Sequence, residues 1–249
     1  MANFISQINV NVEDVYSWHQ NFGASDRLCP PWSNAELLRQ EQSIDSTIKF
    51  VKTSAGIIQE TTKSNTSTKS IISEKSISNK RKWQHTKDFS ANQNKTVLKE
   101  TISYNILDSI LPDFMVEKSI SRRLEKEFNF RKHRIENDIC QHQLYPYQKR
   151  QNIAIAGSNN NLAKQLKSFL NSGQHNVYSF VSRKPYPTAR EIQLNTRNGN
   201  TDLKTMQNID SVIFFAIDDS THLHDQNFDK ALNSKLSQIK LMTKSFKLN

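Results

Sequence analysis

One short segment constrains the fold more than any other part of the chain. Residues 152–156 form an apolar run, Gly157 follows it, and a helical pattern begins near Leu162 after a polar turn. A strand that passes through a glycine turn into a helix is typical of the opening of a parallel α/β sheet. Further strands are predicted at 176–181 and 211–216, so the second half of the chain should form a small parallel α/β domain.

The turn after residue 156 occupies the place where a dinucleotide-binding domain has its glycine fingerprint. That fingerprint needs glycine for a tight turn and glycine again where the backbone meets the pyrophosphate. Its three positions here hold Gly157, Asn160 and Ala163. Alanine is accepted at the third position, but the Asn160 side chain occupies space that the pyrophosphate needs. We therefore predict a nucleotide-binding scaffold whose cofactor site is degenerate.

The first half has a different pattern, in which short β segments precede a single long helix. Alternating apolar residues predict an opening strand near residues 4–10 and further strands near 36–42, 47–53, 57–63, 70–77, 81–90 and 95–107. From Phe114 to about His142 an amphipathic helical pattern runs without Pro or Gly. A sheet that buries one face against such a helix is an α+β fold, and it often leaves an apolar cavity between the two. A filled core is the alternative for the same residues.

The boundary between the two halves is predicted from a proline-containing segment. Residues 144–151 follow the long helix and precede the α/β pattern, so we predict domains at 1–143 and 152–249 joined by this linker. The net charge is +10, and residues 144–200 contain eight Lys and Arg residues but a single acid, Glu191. This excess fits either an anionic ligand of the second domain or an ordinary solvated surface.

Several other classes of protein are not favoured. The sequence has no signal-peptide pattern and no apolar run that could span a bilayer, so we expect a cytoplasmic protein without a membrane span. It has no nucleic-acid-binding motif, and no nucleic-acid partner is expected. Cys29 and Cys140 are predicted to be reduced thiols. His222 and His224 fall in a polar segment that we interpret as a solvated loop, so no metal site is predicted.

Motifs in the first half resemble those of one bacterial family. They are Arg-Leu-x-Pro-Pro-Trp at 27–32 and Arg-x-Leu-x-x-x-Phe-x-x-Arg at 122–131, with Trp-Gln-His at 83–85 and Glu-Thr-Ile-Ser-Tyr at 100–104 between them. The family belongs to the short-chain dehydrogenase/reductase superfamily, and its members fuse an SRPBCC (START-like, helix-grip) domain to an NAD(P)-binding Rossmann epimerase domain. The resemblance implies an α+β helix-grip domain followed by a truncated α/β Rossmann-like domain.

The residues that would contact ligands follow from these assignments. We predict that the cavity of the first domain is lined by Trp18, Trp32, Trp83, His85, Tyr104 and Phe128, with core packing as the alternative for the aromatic rings. In the second domain the resemblance implies cofactor contacts at Gly157, Ser158, Asn160, Leu162, Arg183 and Ala216. Arg183 occupies a position that would favour the 2′-phosphate of NADP, and an ordinary surface charge is its alternative interpretation.

Catalysis is not expected from this sequence. The superfamily uses a Tyr-x-x-x-Lys segment for proton transfer, and no tyrosine follows Tyr186 here, so no catalytic residue is predicted. The preferred function is that of a pseudoenzyme. Its first domain binds a small apolar or amphipathic molecule, and its second domain is either a vestigial nucleotide site, without resident cofactor, or a surface that docks a protein partner. The alternatives are an NAD(P)-dependent nucleotide-sugar epimerase or dehydratase-like oxidoreductase and a protein-interaction module without ligand.

Overall fold

The chain consists of two compact units, Met1–Pro146 and Tyr147–Asn249, and each is described by itself. The computed structural model describes residues 1–33, 35–42, 46–53, 56–78, 81–104, 113–145, 150–157, 161–181, 183–185, 190–193 and 208–215. Some predicted positions lie outside the described residues, namely Ser158, Asn160, Ala216, His222 and His224.

The first unit contains a seven-stranded antiparallel sheet and one long helix. Its elements are β1 (Ala2–Ile8), α1 (Val12–Gln20), α2 (Ala24–Arg27), a 3-10 turn (Pro31–Ser33), β2 (Glu36–Gln42), β3 (Ser46–Thr53), β4 (Gly56–Asn65), β5 (Ser70–Ser78), β6 (Arg81–Asn92), β7 (Lys95–Tyr104) and α3 (Asp113–Leu144). The strand order is β1-β7-β6-β5-β4-β3-β2, and neighbouring strands are antiparallel. The predicted strands and the long helix are confirmed.

Helix α3 packs on the sheet through one face. Leu124, Phe128, Ile135 and Ile139 are buried at helical spacing, while charged residues fill the opposite face. The helix contacts strand β1 and helix α1. A long helix held against a large antiparallel sheet gives the first unit a helix-grip-like α+β fold.

Two apolar clusters join α3 to the sheet. The first, called here the Trp18 cluster, consists of Ile8, Val15, Tyr16, Trp18, Ala24, Leu28, Ile71, Phe89, Leu98, Ile135 and Ile139. The second, called the Phe128 cluster, consists of Ile102, Leu124 and Phe128, with Ala2, Phe4, Trp83 and Ile120 packed against it. The rings of Phe4 and Phe128 stack with centroids 3.8 Å apart. Burial of apolar surface in these clusters supplies most of the force that holds the helix in place.

A buried ion pair attaches α2 to the same helix. Arg27 donates from Nε and Nη2 to the two carboxylate oxygens of Asp138, at 2.6 and 2.7 Å. Their side chains are only 7% and 4% exposed. A bidentate guanidinium–carboxylate contact fixes direction as well as distance, so it sets how the 24–28 segment sits against α3.

The second unit contains a four-stranded parallel sheet with the order β10-β9-β8-β11. Its elements are β8 (Asn152–Ala156), α4 (Asn161–Ser172), β9 (Asn176–Val181), β10 (Glu191–Gln193) and β11 (Ser211–Phe214). The sequence predicts only three strands here, and β10 corrects that prediction. Three residues are too few to show a period, although Ile192 is fully buried. The order of the sheet reverses direction between β8 and β11.

Two further observations concern the whole of the described chain. None of the helices within the described ranges is both long enough and apolar enough to cross a bilayer. Cys29 and Cys140 are free thiols, the first half-buried and the second exposed.

Candidate functional site

The inner face of the sheet is charged between the two apolar clusters. On β7, Glu100 lies between Leu98 of the Trp18 cluster and Ile102 of the Phe128 cluster. Strand β6 has the same pattern, because Lys87 and His85 lie between the two apolar ends of its inner face. Since alternate residues of a strand share a face, the charged positions are built into both strands by their register.

Helix α3 completes this layer from the opposite side. Arg131 lies between Phe128 and Ile135 on the buried face of the helix, and its side chain is 10% exposed. The four residues His85, Lys87, Glu100 and Arg131 are called here the polar layer.

Glu100 is the centre of the polar layer. Its Oε2 accepts a hydrogen bond from His85 Nε2 at 2.7 Å and lies 3.6 Å from Arg131 Nε. Strand register pairs Lys87 directly with Glu100. Arg131 Nη1 also lies 3.6 Å from a carboxylate oxygen of Glu127 at the edge of the layer. The carboxylate thus lies among three basic side chains.

Burial and neighbouring side chains shift the pKa values of Glu100, His85 and Lys87. Burial alone would raise the pKa of Glu100, but the His85 hydrogen bond and the charge of Arg131 lower it to about 2. Burial lowers the pKa of His85 to about 4, so at neutral pH its ring is neutral and donates from Nε2. Burial also lowers the pKa of Lys87, to about 8, which leaves its amine mostly protonated at pH 7.

Helix α1 covers the layer with a second neutral histidine. His19 donates from Nδ1 to the Val15 carbonyl at 2.8 Å, and its ring lies 4.9 Å from that of Phe89. Burial lowers the pKa of His19 to about 3, and the charge of Lys87 acts in the same direction. Because Nδ1 carries the proton, Nε2 of His19 is left as an acceptor inside the fold.

Several buried polar atoms of the first unit have no hydrogen-bond partner within the described part of the chain. They include Nε and Nη2 of Arg131, Nε2 of His19, Nε1 of Trp18 and the hydroxyl of Tyr16. Buried polar groups are satisfied in the great majority of cases, and an unsatisfied one costs about 1–3 kcal/mol.

The inner face also carries charged side chains on β4 and β5. Glu60 and Lys75 pair across these strands at 3.4 Å, with side chains 20% and 39% exposed. Strand register places Lys75 next to Trp83, which is half-buried. Both charged side chains are more exposed than those of His85, Glu100 and Arg131, which are 13%, 3% and 10% exposed.

The structure brings together three of the six predicted cavity residues. Trp83 and Phe128 belong to one cluster, and the His85 ring lies 6.1 Å from the Phe128 ring. Trp18 is buried in the other cluster, on the far side of the polar layer. Trp32 is 40% exposed and packs outside the layer, against Phe130 and Lys126 of α3. The side chain of Tyr104 lies outside the described residues.

Sequence reasoning missed three members of the layer, Lys87, Glu100 and Arg131. A signal for two of them was present in the pattern. Glu100 shares a strand face with Leu98 and Ile102, and Arg131 falls on the apolar face of an amphipathic helix. A charged residue on a face that the period predicts to be buried is unusual enough to mark a site.

In the second unit, Gly157 lies where the sheet order reverses. Its φ is +80°, and a Cβ at this position would lie 2.6 Å from the carbonyl oxygen of Phe215. The Phe215 amide donates to the Ala156 carbonyl at 3.0 Å, so the carboxyl ends of β8 and β11 are in contact. Only glycine fits both the backbone conformation and the space. In open α/β sheets such a reversal point is where ligands bind.

Two other predicted cofactor contacts lie on described elements. Leu162 is 66% exposed in the first turn of α4, and Ala163 beside it is buried against β8 and β9. Arg183 makes a bidentate contact with Glu191, at 2.7 and 2.9 Å, and donates to the Lys184 carbonyl at 3.0 Å. The guanidinium is therefore engaged by the only acid of the basic segment 144–200.

Metal ligands do not cluster in the parts of the chain that are described above. No group of three or more His, Cys, Asp or Glu side chains there is arranged to hold an ion.

Comparison with known proteins gives a likeness of structure without one of sequence. No protein-family model matches the chain, and no curated protein matches it. A nucleoside-diphosphate sugar epimerase from Corynebacterium glutamicum is similar in structure, with a TM-score of 0.70 and 17% identity over 96% of this chain. This chain covers 49% of that protein, about half its length. The likeness shows the fold alone.

Weaker structural likenesses cover a little more than half of this chain. An aromatase/cyclase from Streptomyces sp. R1128 has a TM-score of 0.43 and 10% identity, covering 57% of this chain and 94% of that protein. A START superfamily protein from Mycobacterium smegmatis has a TM-score of 0.39 and 14% identity, covering 55% and 97%.

Proposed function

We propose that the first unit binds a small apolar or amphipathic molecule between the sheet and α3. The observation that carries this proposal is the polar layer, whose buried N–H groups on Arg131 have no hydrogen-bond partner among the described residues while apolar clusters flank them on both sides. A ligand pocket of this kind combines apolar walls with a few convergent polar groups. The half-buried Trp83 packs against the Phe128 cluster beside it.

The experiment is native mass spectrometry of the purified full chain, followed by titration with an environment-sensitive apolar dye. A stoichiometric mass excess, or saturable dye binding that quenches tryptophan fluorescence, supports the proposal. Trp83→Phe should alter the dye signal, and Trp32→Phe is the matched control because Trp32 lies outside the layer. A protein that carries no molecule and binds no dye would contradict it.

For the second unit we propose a Rossmann-like nucleotide-binding domain at 152–249, joined through 144–151 to a START-like domain at 1–143, as in the fused epimerase family. Gly157 at the reversal point and buried Ala163 support the scaffold. We propose further that it is vestigial, in a pseudoenzyme, because the sequence has Asn160 where the fingerprint of the family has a glycine. The pairing of Arg183 with Glu191 supports the same conclusion.

The second candidate function is that of an NADP-dependent epimerase-type oxidoreductase, and the close approach of backbone at Gly157 favours it. Titration with NADPH distinguishes the two. An unchanged protein signal supports the vestigial site. Saturable binding that Arg183→Ala weakens and Glu191→Gln strengthens supports the second candidate, since Glu191 would compete with the phosphate for the guanidinium.

A further inference from the structure

The sheet of the first unit has two edge strands, β1 and β2. Strand β1 pairs with β7 and strand β2 with β3, and no strand within the described ranges pairs with the other side of either one. An unpaired edge presents a row of backbone N–H and C=O groups to which a further strand can bind. Proteins usually block such an edge with a bulge, a proline or charged side chains.

Strand β2 is blocked in two of these ways. Its register on β3 shifts between Leu37 and Arg39, which marks a bulge. Arg39 and Glu41 form an ion pair on the surface of the same strand. A further strand laid along β2 would meet both the irregular backbone and these charges, so β2 is a poor site for strand pairing.

Strand β1 has none of these blocks. Residues 2–8 contain no proline and no charged side chain, and their register on β7 is continuous from Ala2 to Ile8. Ile5 is the middle residue of the strand, lies on the face of the sheet opposite to α3 and is 72% exposed. A regular, uncharged edge with an exposed apolar centre is suited to pair with a strand of another chain.

The sequence of β1 suits pairing with a second copy of itself. Antiparallel pairing about a two-fold axis at Ile5 places this residue opposite its own counterpart, and Asn3 opposite Gln7 of the other copy. The outer face then joins two apolar side chains at the axis and a pair of amides on each side of it. No like charges meet, and such contacts between directly opposite side chains stabilise a strand pair.

We propose that β1 is an interface between two copies of this chain, which pair antiparallel about Ile5 through backbone hydrogen bonds and join their sheets. The inference goes beyond the proposed function and does not depend on the ligand site between the sheet and α3. One strand pair buries less than the roughly 1,600 Å² of a standard interface, so the dimer should be weak. We expect a dissociation constant of roughly micromolar magnitude.

Sedimentation velocity of the full chain tests the proposal over a concentration series that spans the micromolar range. The sedimentation coefficient should rise toward that of a dimer. Ile5→Lys places two ammonium groups opposite each other at the axis and should raise the dissociation constant at least about tenfold.

Two variants make the same change elsewhere on the sheet. Ile57→Lys is the matched control, because Ile57 is 65% exposed and lies on β4, which pairs with strands on both sides. Leu38→Lys introduces the charge on the blocked edge β2, where Leu38 is 46% exposed. Both variants should dimerise like the natural protein.

Cysteine cross-linking tests the register in a chain with Cys140→Ser, which removes the exposed thiol. Ile5→Cys should form a disulfide-linked dimer under mild oxidation, because directly opposite residues have Cβ atoms about 4.5–5.5 Å apart. Gln7→Cys should cross-link far less, because its counterpart would lie roughly 13 Å away along the strands. A chain that stays monomeric would overturn the inference, as would a dimer that Ile5→Lys leaves intact or that cross-links equally through Gln7→Cys.

Discussion

Because Arg27 and Asp138 form a buried bidentate contact, replacing one carboxylate oxygen of Asp138 by an amide nitrogen should strongly destabilise the first unit. Asp138→Asn keeps the shape of the side chain and removes its charge. Arg27 would then remain charged, 7% exposed and without its carboxylate. Arg134 adds to the cost, because its pKa is lowered by burial and by the nearby charge of Arg27 and is raised by Asp138. Without that carboxylate the two guanidinium groups repel each other.

Breaking a buried ion pair by removing one partner costs about 3–5 kcal/mol. For a unit of this size we expect Asp138→Asn to lower the melting temperature by roughly 10 °C or more. Urea unfolding followed by tryptophan fluorescence measures the loss of unfolding free energy. The signal reports on the first unit alone, since Trp18, Trp32 and Trp83 all lie there.

The control is Glu125→Gln, which removes a carboxylate from the exposed face of the same helix and should change the free energy of unfolding by less than about 0.5 kcal/mol. The double variant Arg27→Met with Asp138→Leu should recover most of the loss, because it removes both charges. A loss below about 1 kcal/mol in Asp138→Asn would refute the reasoning, as would a double variant no more stable than the single one.

Three further predictions concern other sites. Gly157→Ala should destabilise the second unit by about 2 kcal/mol or more, which hydrogen exchange would show as faster exchange in β8 and β11. Gly56 has a φ of +114° and open space around it, so Gly56→Ala measures the cost of backbone strain without the close contact. The free energy of unfolding should fall as the pH drops from 6.5 to about 3, because His19 stays neutral only in the folded state; His19→Gln should flatten this dependence in acid unfolding curves. Exposed Cys140 should react with a thiol reagent at pH 8 well before Cys29, whose pKa is raised by burial.

The elements of the first unit could be predicted because each carries its own period. The alternation through Leu98, Glu100 and Ile102 gives β7, and the buried positions of α3 recur at helical spacing. Strand β10 could not be found this way, since three residues show no period and its burial comes from pairing with β9. Local pattern thus predicts elements whose length exceeds one or two repeats.

The candidate site was only partly predictable, for a related reason. A period assigns a residue to a face but does not say which residues of other elements it meets there. Glu100 meets His85 through the pairing of β6 with β7, and it meets Arg131 only because α3 docks on the sheet. The aromatic residues were selected as cavity residues by type, and type alone does not separate Trp83 at the layer from Trp32 outside it.

A buried layer of charged side chains does not by itself show that these side chains stabilise the fold. Variants can therefore test whether the layer serves stability or ligand binding. The single variant Arg131→Met leaves the carboxylate of Glu100 without its guanidinium and should cost about 3 kcal/mol. The double variant Glu100→Gln with Arg131→Met removes both charges and keeps an acceptor for His85, so its unfolding free energy should equal or exceed that of the natural protein. If the layer is there to bind a ligand, the double variant gains stability and at the same time loses the binding proposed between the sheet and α3, because selection for binding can keep residues that stability does not need. A double variant as unstable as the single one would instead show that the layer holds the fold together.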